Sequence, residues 1–495
     1  MVDDVVTESA SRREQDTRRW VIDGVAAVAV GIAFTSAGWP LIAWSGLMEM
    51  LPGGLPQRYA AFAPAVLAVA VALVGTLARL GGWLVAAIGL AVTVVATQLP
   101  IPGILGSLAF DDSLACASAF DGSLACASAG MLLAAGVGFA LGGAVLVAAH
   151  ATAPARLGIA GGLAAGMLLG PFTTELVTAV LGPDPAAVIS PTTLPLGTAT
   201  VVVATAAVLT RGRERAQSPA IVRTGLGPVL VVALLAILPV IGGVLRRVII
   251  REVGPGPDGL EGLPRREAVE LLSRYSMIAI AVVVAVVLTL YAYHRGRAPA
   301  ARWVVLGFTV GGVTIGWLPV VVAYRPIDAV LAGVVAVLAA IVGTGLARYA
   351  DRLLPWDVLG VCVAVGGMML KTEVMGQEYD WTVTAHALLV ALGLPLALSF
   401  GFARALLHAD AAQPETPPPG TADRAGTLTL GVAALVLAAQ TLAPMALDAW
   451  ASHSDGAPRV TIPVVAATGA AALLMFFGWA MRRSVPRPTP APEPT

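Results

Sequence analysis

Residues 132–150 read LLAAGVGFALGGAVLVAAH, a run of nineteen residues without Asp, Glu, Lys or Arg. A helix that crosses the hydrocarbon core of a bilayer needs about 20 mostly apolar residues, because every backbone polar group must bond within the segment. The glycines at 136, 138, 142 and 143 are typical of membrane helices that pack closely against one another. The run therefore predicts a membrane-spanning helix inside a bundle.

The composition of the whole chain extends this prediction. The 495 residues are 57% hydrophobic and 12% charged, whereas an ordinary soluble domain is about 45–50% apolar and about 25% charged. This excludes a soluble enzyme and a disordered chain. Thirty basic and thirty acidic residues give zero formal charge, so no basic surface for nucleic acid is expected. Three cysteines without paired spacing predict neither a disulfide framework nor a metal site, and we expect no cofactor.

Fourteen segments have the length and apolarity of a membrane-spanning helix. They lie at about 20–44, 59–79, 82–99, 128–150, 155–181, 191–210, 226–246, 275–293, 303–324, 328–348, 354–372, 383–403, 427–450 and 461–481. The first follows a charged stretch without the cleavage pattern of a secretory signal, so we expect a retained helix. The predicted fold class is an all-α, multi-pass integral membrane protein.

The basic residues predict the orientation, because Lys and Arg concentrate on the cytoplasmic side. With the N terminus inside, twenty of the thirty lie in cytoplasmic segments, and an even number of spans places both termini in the cytoplasm. Residues 264–274, in the loop before the eighth segment, are expected to form a short amphipathic helix at the interface. The two ends and residues 405–425 are polar and are predicted to be flexible linkers.

A ten-residue stretch is duplicated in one loop. FDDSLACASA at 110–119 is followed by FDGSLACASA at 120–129, as expected for an outer loop that tolerates insertion. The predicted orientation places Cys116 and Cys126 in an oxidising compartment. The two either form a disulfide or remain thiols without a role.

Two loops resemble a family signature. The first, LVGTLARLGGWLV at 73–85, resembles the G-x-x-x-D-R-x-G-R-R loop of the major facilitator superfamily, with Arg79 in place of the acid. The second, AIVGTGLARYADRLLPWDVL at 340–359, is similar and keeps Asp351 and Arg352. Related loops in corresponding positions predict an internal repeat, as in many transporters.

Segments four and five extend the resemblance. Segment four is similar to the family's fourth helix, with Gly136 in place of a buried Arg. GMLLGPFTT at 166–174 resembles the exporter motif G-x-x-x-G-P-x-x-G-G through Gly166, Gly170 and Pro171. The chain thus resembles the fourteen-helix drug-exporter branch, in which two six-helix bundles flank two central helices. The implied boundaries are a tail at 1–19, bundles at 20–211 and 302–483, central helices with an outer loop at 212–301, and a tail at 484–495.

Few ionisable residues fall inside the predicted spans, where one costs about 2.5–3.5 kcal/mol unless it is paired, solvated or useful. Glu175 lies deepest, and we expect it to carry protons, with Asp23 as the second candidate or an interfacial residue. Arg79, Asp351 and Arg352 are expected to form a gate at the inner face. Polar residues that either line a substrate cavity or pack between helices are Thr173, Thr174, Thr309, Thr314, Trp317 and Gln440.

The resemblance implies a secondary transporter in the cell membrane that exports small amphiphilic or hydrophobic molecules in exchange for protons. Its expected partners are the lipid bilayer, the substrate and the proton, and no catalytic residue is assigned. No G-x-x-x-x-G-K-[ST] motif is present, so ATP is not expected to drive it directly. One alternative is a transport-inactive relative that serves as a scaffold or partner in cell-envelope assembly. A glycosyltransferase with Asp111 and Asp112 as outer-loop carboxylates is another.

Overall fold

A computed structural model describes residues 2–38, 62–77, 81–98, 123–181, 193–216, 226–253, 263–321, 326–349, 355–374, 380–411, 421–451 and 461–483. The secondary structure of this part of the chain is helical. Its helices are α1 (Val2–Ala33, continued by a π-helical turn at Phe34–Gly38), α2 (Ala63–Leu77), α3 (Gly82–Gln98), α4 (Ser123–His150), α5 (Ala153–Leu181), α6 (Thr193–Ala216), α7 (Gly227–Val253), α8 (Leu263–Val321), α9 (Pro326–Tyr349), α10 (Trp356–Val374), α11 (Asp380–Ala411), α12 (Thr421–Ala451) and α13 (Thr461–Arg483).

Helix α8 consists of two helices joined at Arg297. The backbone of Arg297 has φ 58° and ψ −155°, a conformation that residues other than glycine rarely adopt. Gly296 precedes the break and Pro299 follows it, and proline favours the first turn of a helix because it lacks the amide hydrogen. We call the two parts α8N (263–296) and α8C (298–321).

Eight helical segments of the described chain are long and apolar enough to cross a membrane, and five further apolar helices are shorter. One of the eight, Ile278–Gly312, runs through the break in α8. Described helices overlap each of the fourteen segments expected from sequence. The structure therefore agrees with the predicted all-α, multi-pass class, while the number of crossings and the orientation stay predictions.

Four local predictions were wrong. The second copy of the duplicated stretch, expected in a loop, belongs to α4 from Ser123 onward. The linker expected at 405–425 is helical at 405–411 and at 421–425. Residues 2–19, expected to be a flexible tail, belong to α1, because the stretch contains neither proline nor glycine and Glu14 lies four residues before Arg18, a spacing that supports a helix. The separate amphipathic helix expected at 264–274 is the beginning of α8. No glycine or proline interrupts residues 265–295, so the helix continues.

The helices of the two halves pack in the same pattern. Helix α1 contacts α4, α5 and α6, and α8 contacts α11, α12 and α13. Helix α4 contacts α2 and α3, as α11 contacts α9 and α10, and the pair α3 and α6 is matched by α10 and α13. Six helices in one order are thus used twice, first as α1–α6 and then as α8C with α9–α13.

A short sequence repeat marks the equivalent positions of α1 and α8C. RWVIDG at 19–24 recurs as RWVVLG at 302–307. A Cβ atom built on Gly24 would lie 3.4 Å from the Gly158 carbonyl oxygen, and one on Gly307 would overlap the Gly431 carbonyl. The two copies are six residues long and 283 positions apart, so the repeat was not predicted from the sequence.

The helices that pack on α1 and α8C, which are α5 and α12, carry a second short sequence repeat. LGIA at 157–160 of α5 recurs as LGVA at 430–433 of α12. Gly158 faces the Trp20 side chain, and Gly431 faces the Trp303 indole. Each half therefore joins its first and fifth helices by setting a tryptophan of one against a glycine of the other.

Glycines also set the distance between α1 and α5. Gly158, Gly162, Gly166 and Gly170 recur every four residues on α5, so they lie along one face of the helix. A Cβ atom on Gly166 would overlap the carbonyl of Val28 on α1. Because the obstacle is backbone, it cannot rotate away. Two of the exporter-motif residues, Gly166 and Gly170, thus serve close helix packing.

We expect Gly166→Ala to destabilise the protein by about 1–3 kcal/mol, the usual cost of overpacking. The matched control is Gly345→Ala on α9, where a Cβ atom would meet nothing within 4 Å. That control is expected to be neutral or stabilising by about 0.5–1 kcal/mol. Reversible unfolding in mixed micelles, followed by circular dichroism, measures both, and equal effects would contradict the packing argument.

Candidate functional site

Within the described part of the chain, the main contacts between the two halves are made by α12 of the C-terminal half and α5 of the N-terminal half. Helix α12 contacts α2 and α4, and α5 contacts α9 and α11. In the repeat, α2, α4 and α5 of the first half correspond to α9, α11 and α12 of the second half. The contacts of α12 with α2 and α4 are therefore equivalent to the contacts of α5 with α9 and α11, and the boundary has the same two-fold pattern as the halves. This boundary is the candidate functional site, because any motion between the halves must change it.

The α2 and α12 side of the boundary is closely packed. Thr429 is fully buried on α12, and its Oγ1 has no hydrogen-bond partner. A Cβ atom on Gly75 of α2 would overlap this oxygen and would lie 3.4 Å from Thr429 Cβ. Glycine at position 75 is therefore what allows α2 and α12 to touch.

A second glycine–threonine contact joins α5 and α9 on the other side of the boundary, and its two residues are farther apart. A Cβ atom on Gly161 of α5 would lie 3.1 Å from Thr344 Cγ2 of α9. The Thr344 hydroxyl is used within its own helix, where it donates to the Ala340 carbonyl at 3.0 Å. The two sides of the boundary are thus built alike, and the α2 and α12 side is the tighter.

Asp23 ties the first helix of the N-terminal half to the third. Its side chain is buried, and its Oδ1 accepts a hydrogen bond from Trp83 Nε1 at 2.8 Å. Trp83, fully buried at the start of α3, stands where the resembled family signature has a basic residue. An indole is a donor only, so this contact keeps a carboxyl group inside the bundle.

Arg302 makes the corresponding tie in the C-terminal half. Its Nε donates to Asp357 Oδ2 at 2.6 Å, and its Nη2 pairs with Asp357 Oδ1. Asp357 is buried and also accepts from the Val358 backbone amide at 3.0 Å, so it caps the first turn of α10, where negative charge is favourable. This ion pair was not predicted from the sequence, because its two residues are 55 positions apart.

The π-helical turn at Phe34–Gly38, which follows α1, brings hydroxyl groups into the bundle. Thr35 and Ser36 are both buried. The Thr35 hydroxyl donates to the Gly31 carbonyl at 3.2 Å, whereas Ser36 Oγ has no hydrogen-bond partner. A Cβ atom on Gly170 of α5 would overlap Thr35 Oγ1. Turns of this kind occur frequently at functional sites.

The predicted cavity residues differ in whether their polar side-chain atoms have hydrogen-bond partners within the protein. The hydroxyls of Thr173 and Thr309 donate to carbonyls of their own helices, at 2.7 and 2.8 Å. Gln440 is buried on α12, and its Oε1 has no partner. The side chains of Thr174, Thr314 and Trp317 lie outside the described residues. Gln440 therefore offers an acceptor to a ligand, while Thr173 and Thr309 contribute to packing.

Several of the predicted site residues, or their side chains, lie outside the described part of the chain. Glu175 lies on α5, but its side chain, like that of Pro171, lies outside the described residues. Arg79, Asp351 and Arg352 lie outside them entirely, as does Cys116, and Cys126 is on α4 without a described side chain. Their roles in proton coupling, gating and disulfide formation stay predictions.

Gly136 has a definite packing role. A Cβ atom there would lie 2.5 Å from Thr93 Oγ1 and 2.6 Å from the Gly89 carbonyl oxygen of α3. No side chain fits this space, so the buried arginine of the resembled family has no counterpart here. Among the described residues, no group of three His, Cys, Asp or Glu side chains is placed to hold a metal ion.

Comparisons with known proteins gave matches among solved structures. No family model matches the sequence, and no curated protein matches it. The chain is similar to the proton:xylose symporter XylE of the major facilitator superfamily, with a TM-score of 0.49, 14% identity and coverage of 95% of this chain and 97% of that one. It is also similar to an auto-inhibited peptide transporter of the POT family, with a TM-score of 0.46, 15% identity and coverage of 95% and 99%. These values assign neither a family nor an activity.

Proposed function

We propose that the protein is a secondary transporter that moves a small amphiphilic or hydrophobic molecule across the cell membrane by alternating access. Two six-helix bundles, at 20–211 and 302–483, are the moving bodies, and residues 212–301 supply two central helices. The observation that carries the proposal is the packing pattern of α1–α6, which recurs in α8C and α9–α13. Repeats of this kind supply two bodies that rock about a shared site.

The boundary between the halves supports this motion. Gly75 lies four residues before Arg79, and Thr429 lies five residues after Arg424, so both are near the predicted cytoplasmic ends of their helices. In the proposed cycle their contact closes the cytoplasmic side, and it separates when the cavity opens to the cytoplasm. Because a glycine meets a threonine with an unused hydroxyl, separation breaks no direct hydrogen bond of that hydroxyl.

Proton exchange is the proposed energy source, with Glu175 as the carrier and Asp23 as the second candidate. A buried carboxyl group on α1, held by an indole donor, suits a residue that changes its charge during a cycle. Arg79, Asp351 and Arg352 are the proposed gate residues. Export is the proposed direction, and it rests on the resemblance of residues 166–171 to the exporter motif.

The test is accumulation in proteoliposomes under an imposed pH gradient. The probes are ethidium, tetraphenylphosphonium and a neutral amphiphilic dye, each assayed in both directions. We expect at least one probe to accumulate against its concentration gradient, and protein-free liposomes are the control. Absence of transport with every probe would count against the transporter and favour the scaffold alternative.

We expect Glu175→Gln to reduce proton-driven accumulation at least tenfold while substrate exchange without a gradient continues. Glutamine keeps the shape and hydrogen bonding of the side chain but cannot titrate. The matched control, Glu267→Gln, changes an acid outside the predicted spans and should accumulate probe at the parent rate. If Glu175→Gln accumulates probe as the parent does, Glu175 is not the carrier, and Asp23→Asn becomes the next variant.

A further inference from the structure

Two side chains inside the bundle carry polar atoms without a hydrogen-bond partner. Gln440 on α12 is 7% exposed, and Ser36 in the π-helical turn after α1 is 4% exposed. Gln440 Oε1 and Ser36 Oγ make no hydrogen bond with the residues that the structure describes. A polar atom buried without a partner destabilises a folded protein, so each one that is retained needs a reason. The two atoms are therefore candidates for contact with a bound molecule.

Gln440 lies on the face of α12 that packs against the N-terminal half. Thr429 marks this face, because a Cβ atom on Gly75 of α2 would overlap Thr429 Oγ1. Gln440 follows Thr429 by eleven residues, which is three helical turns with about 20° of rotation and about 16 Å along the helix axis. The unused acceptor of Gln440 is therefore at the boundary between the halves, three turns beyond the Gly75–Thr429 contact.

Ser36 lies at a similar depth in the N-terminal half. A Cβ atom on Gly38, at the end of the same turn, would lie 3.3 Å from Leu67 Cδ1 of α2. Leu67 precedes Gly75 by eight residues, or about 12 Å along α2. In the predicted topology α2 and α12 run in opposite directions, so Ser36 and Gln440 lie within about two helical turns of each other in depth. Helix α4 contacts both the turn and α12.

We propose that Gln440 Oε1 and Ser36 Oγ accept hydrogen bonds from the transported molecule, which is an amphiphile with N–H or O–H donors at two points. An amide oxygen only accepts, and a hydroxyl oxygen also accepts, so a ligand with two donors satisfies both atoms. Val436 and Ala433, one and two turns before Gln440 on α12, are fully buried and apolar, which suits the rest of an amphiphile. The inference rests on the proposed transport function and specifies the class of substrate.

The test uses ethidium and its analogue with both amino groups dimethylated as a matched pair of probes. Methylation removes the N–H donors and keeps the ring system and the charge. Binding to the purified full chain in detergent micelles is measured by fluorescence anisotropy, without a pH gradient. Because one hydrogen bond contributes about two- to tenfold to binding, we expect the dimethylated analogue to bind about tenfold more weakly than ethidium.

We expect Gln440→Met and Ser36→Ala each to weaken ethidium binding about two- to tenfold and to raise the thermal midpoint of the ligand-free protein. The midpoint rises because an apolar atom replaces a buried polar atom that has no partner. A residue with a purely structural role would lose binding and stability together. The matched control is Thr441→Val. Thr441 is fully buried next to Gln440 but donates to the Leu437 carbonyl at 3.0 Å, so this variant should bind ethidium as the parent does.

The inference is overturned if the parent does not bind ethidium, or if the dimethylated analogue binds within twofold of ethidium. It is also overturned if Gln440→Met and Ser36→Ala bind within twofold of the parent, if they lower the thermal midpoint, or if Thr441→Val weakens binding equally. Donor-dependent binding without transport of either probe would contradict the proposed function alone. Transport of both probes at equal rates would contradict this inference alone.

Discussion

A disulfide between positions 75 and 429 is expected to abolish transport completely and reversibly. The Cβ atoms of Gly75→Cys and Thr429→Cys would lie 3.4 Å apart, close to the about 3.5–4.5 Å of natural disulfides. The bond would hold α2 of one half against α12 of the other. If the halves separate here during the cycle, the oxidised protein retains one conformation and neither accumulates nor exchanges the probe.

The measurement is probe uptake in proteoliposomes before and after oxidation, and again after dithiothreitol. The background replaces Cys116, Cys126 and Cys362 by alanine, so that no other disulfide forms. Each single cysteine variant serves as a control and should transport equally in both redox states. Parent-rate transport by a fully cross-linked sample would show that this contact persists through the cycle and would contradict the proposed motion.

Asp357→Ala is expected to destabilise the protein by about 3–5 kcal/mol, the cost of removing one partner of a buried ion pair. Asp357 is 1% exposed and Arg302 is 18% exposed at the side chain, so the arginine would remain largely buried without its counterion. The variant also loses the acceptor for the Val358 amide at the start of α10. Chemical unfolding in mixed micelles, followed by tryptophan fluorescence, measures the change.

Two further variants separate the ion pair from a general effect of charge. Arg348→Gln removes an exposed arginine of α9 and should change stability by no more than about 0.5 kcal/mol. Arg302→Met, combined with Asp357→Ala, completes a double-mutant cycle in which the coupling energy isolates the pair. A coupling energy near zero would show that Asp357 acts as a helix cap alone.

The two predictions concern contacts of different kinds, one within a half and one between the halves. The Arg302–Asp357 pair joins the first and third helices within the C-terminal half, as the Asp23–Trp83 hydrogen bond does within the N-terminal half. The Gly75–Thr429 contact joins the halves to each other. These two ties within the halves are polar and buried, whereas the Gly75–Thr429 contact between the halves leaves the Thr429 hydroxyl unused. This difference is consistent with the proposed motion, in which the halves keep their own contacts and separate at Gly75 and Thr429.

The membrane class and the positions of the helices could be predicted from the sequence, because both depend on local composition. A run of about 20 apolar residues needs no distant partner to form a helix in lipid. The glycine and proline around Arg297 likewise separate two predicted segments by local geometry. The polarity of residues 2–19 predicts a flexible tail, but the stretch is helical because it contains neither proline nor glycine.

The partners of individual side chains depended on tertiary structure. Asp23 and Trp83 are 60 residues apart in sequence, and Arg302 and Asp357 are 55 apart, so no local pattern pairs them. The sequence identified Gly166 and Gly170 as motif residues, but only the packing of α5 on α1 shows that a backbone carbonyl or a threonine hydroxyl occupies the space of a side chain. Local composition determines where a helix forms in a membrane, whereas the choice of neighbouring helix depends on shape and small residues along whole faces.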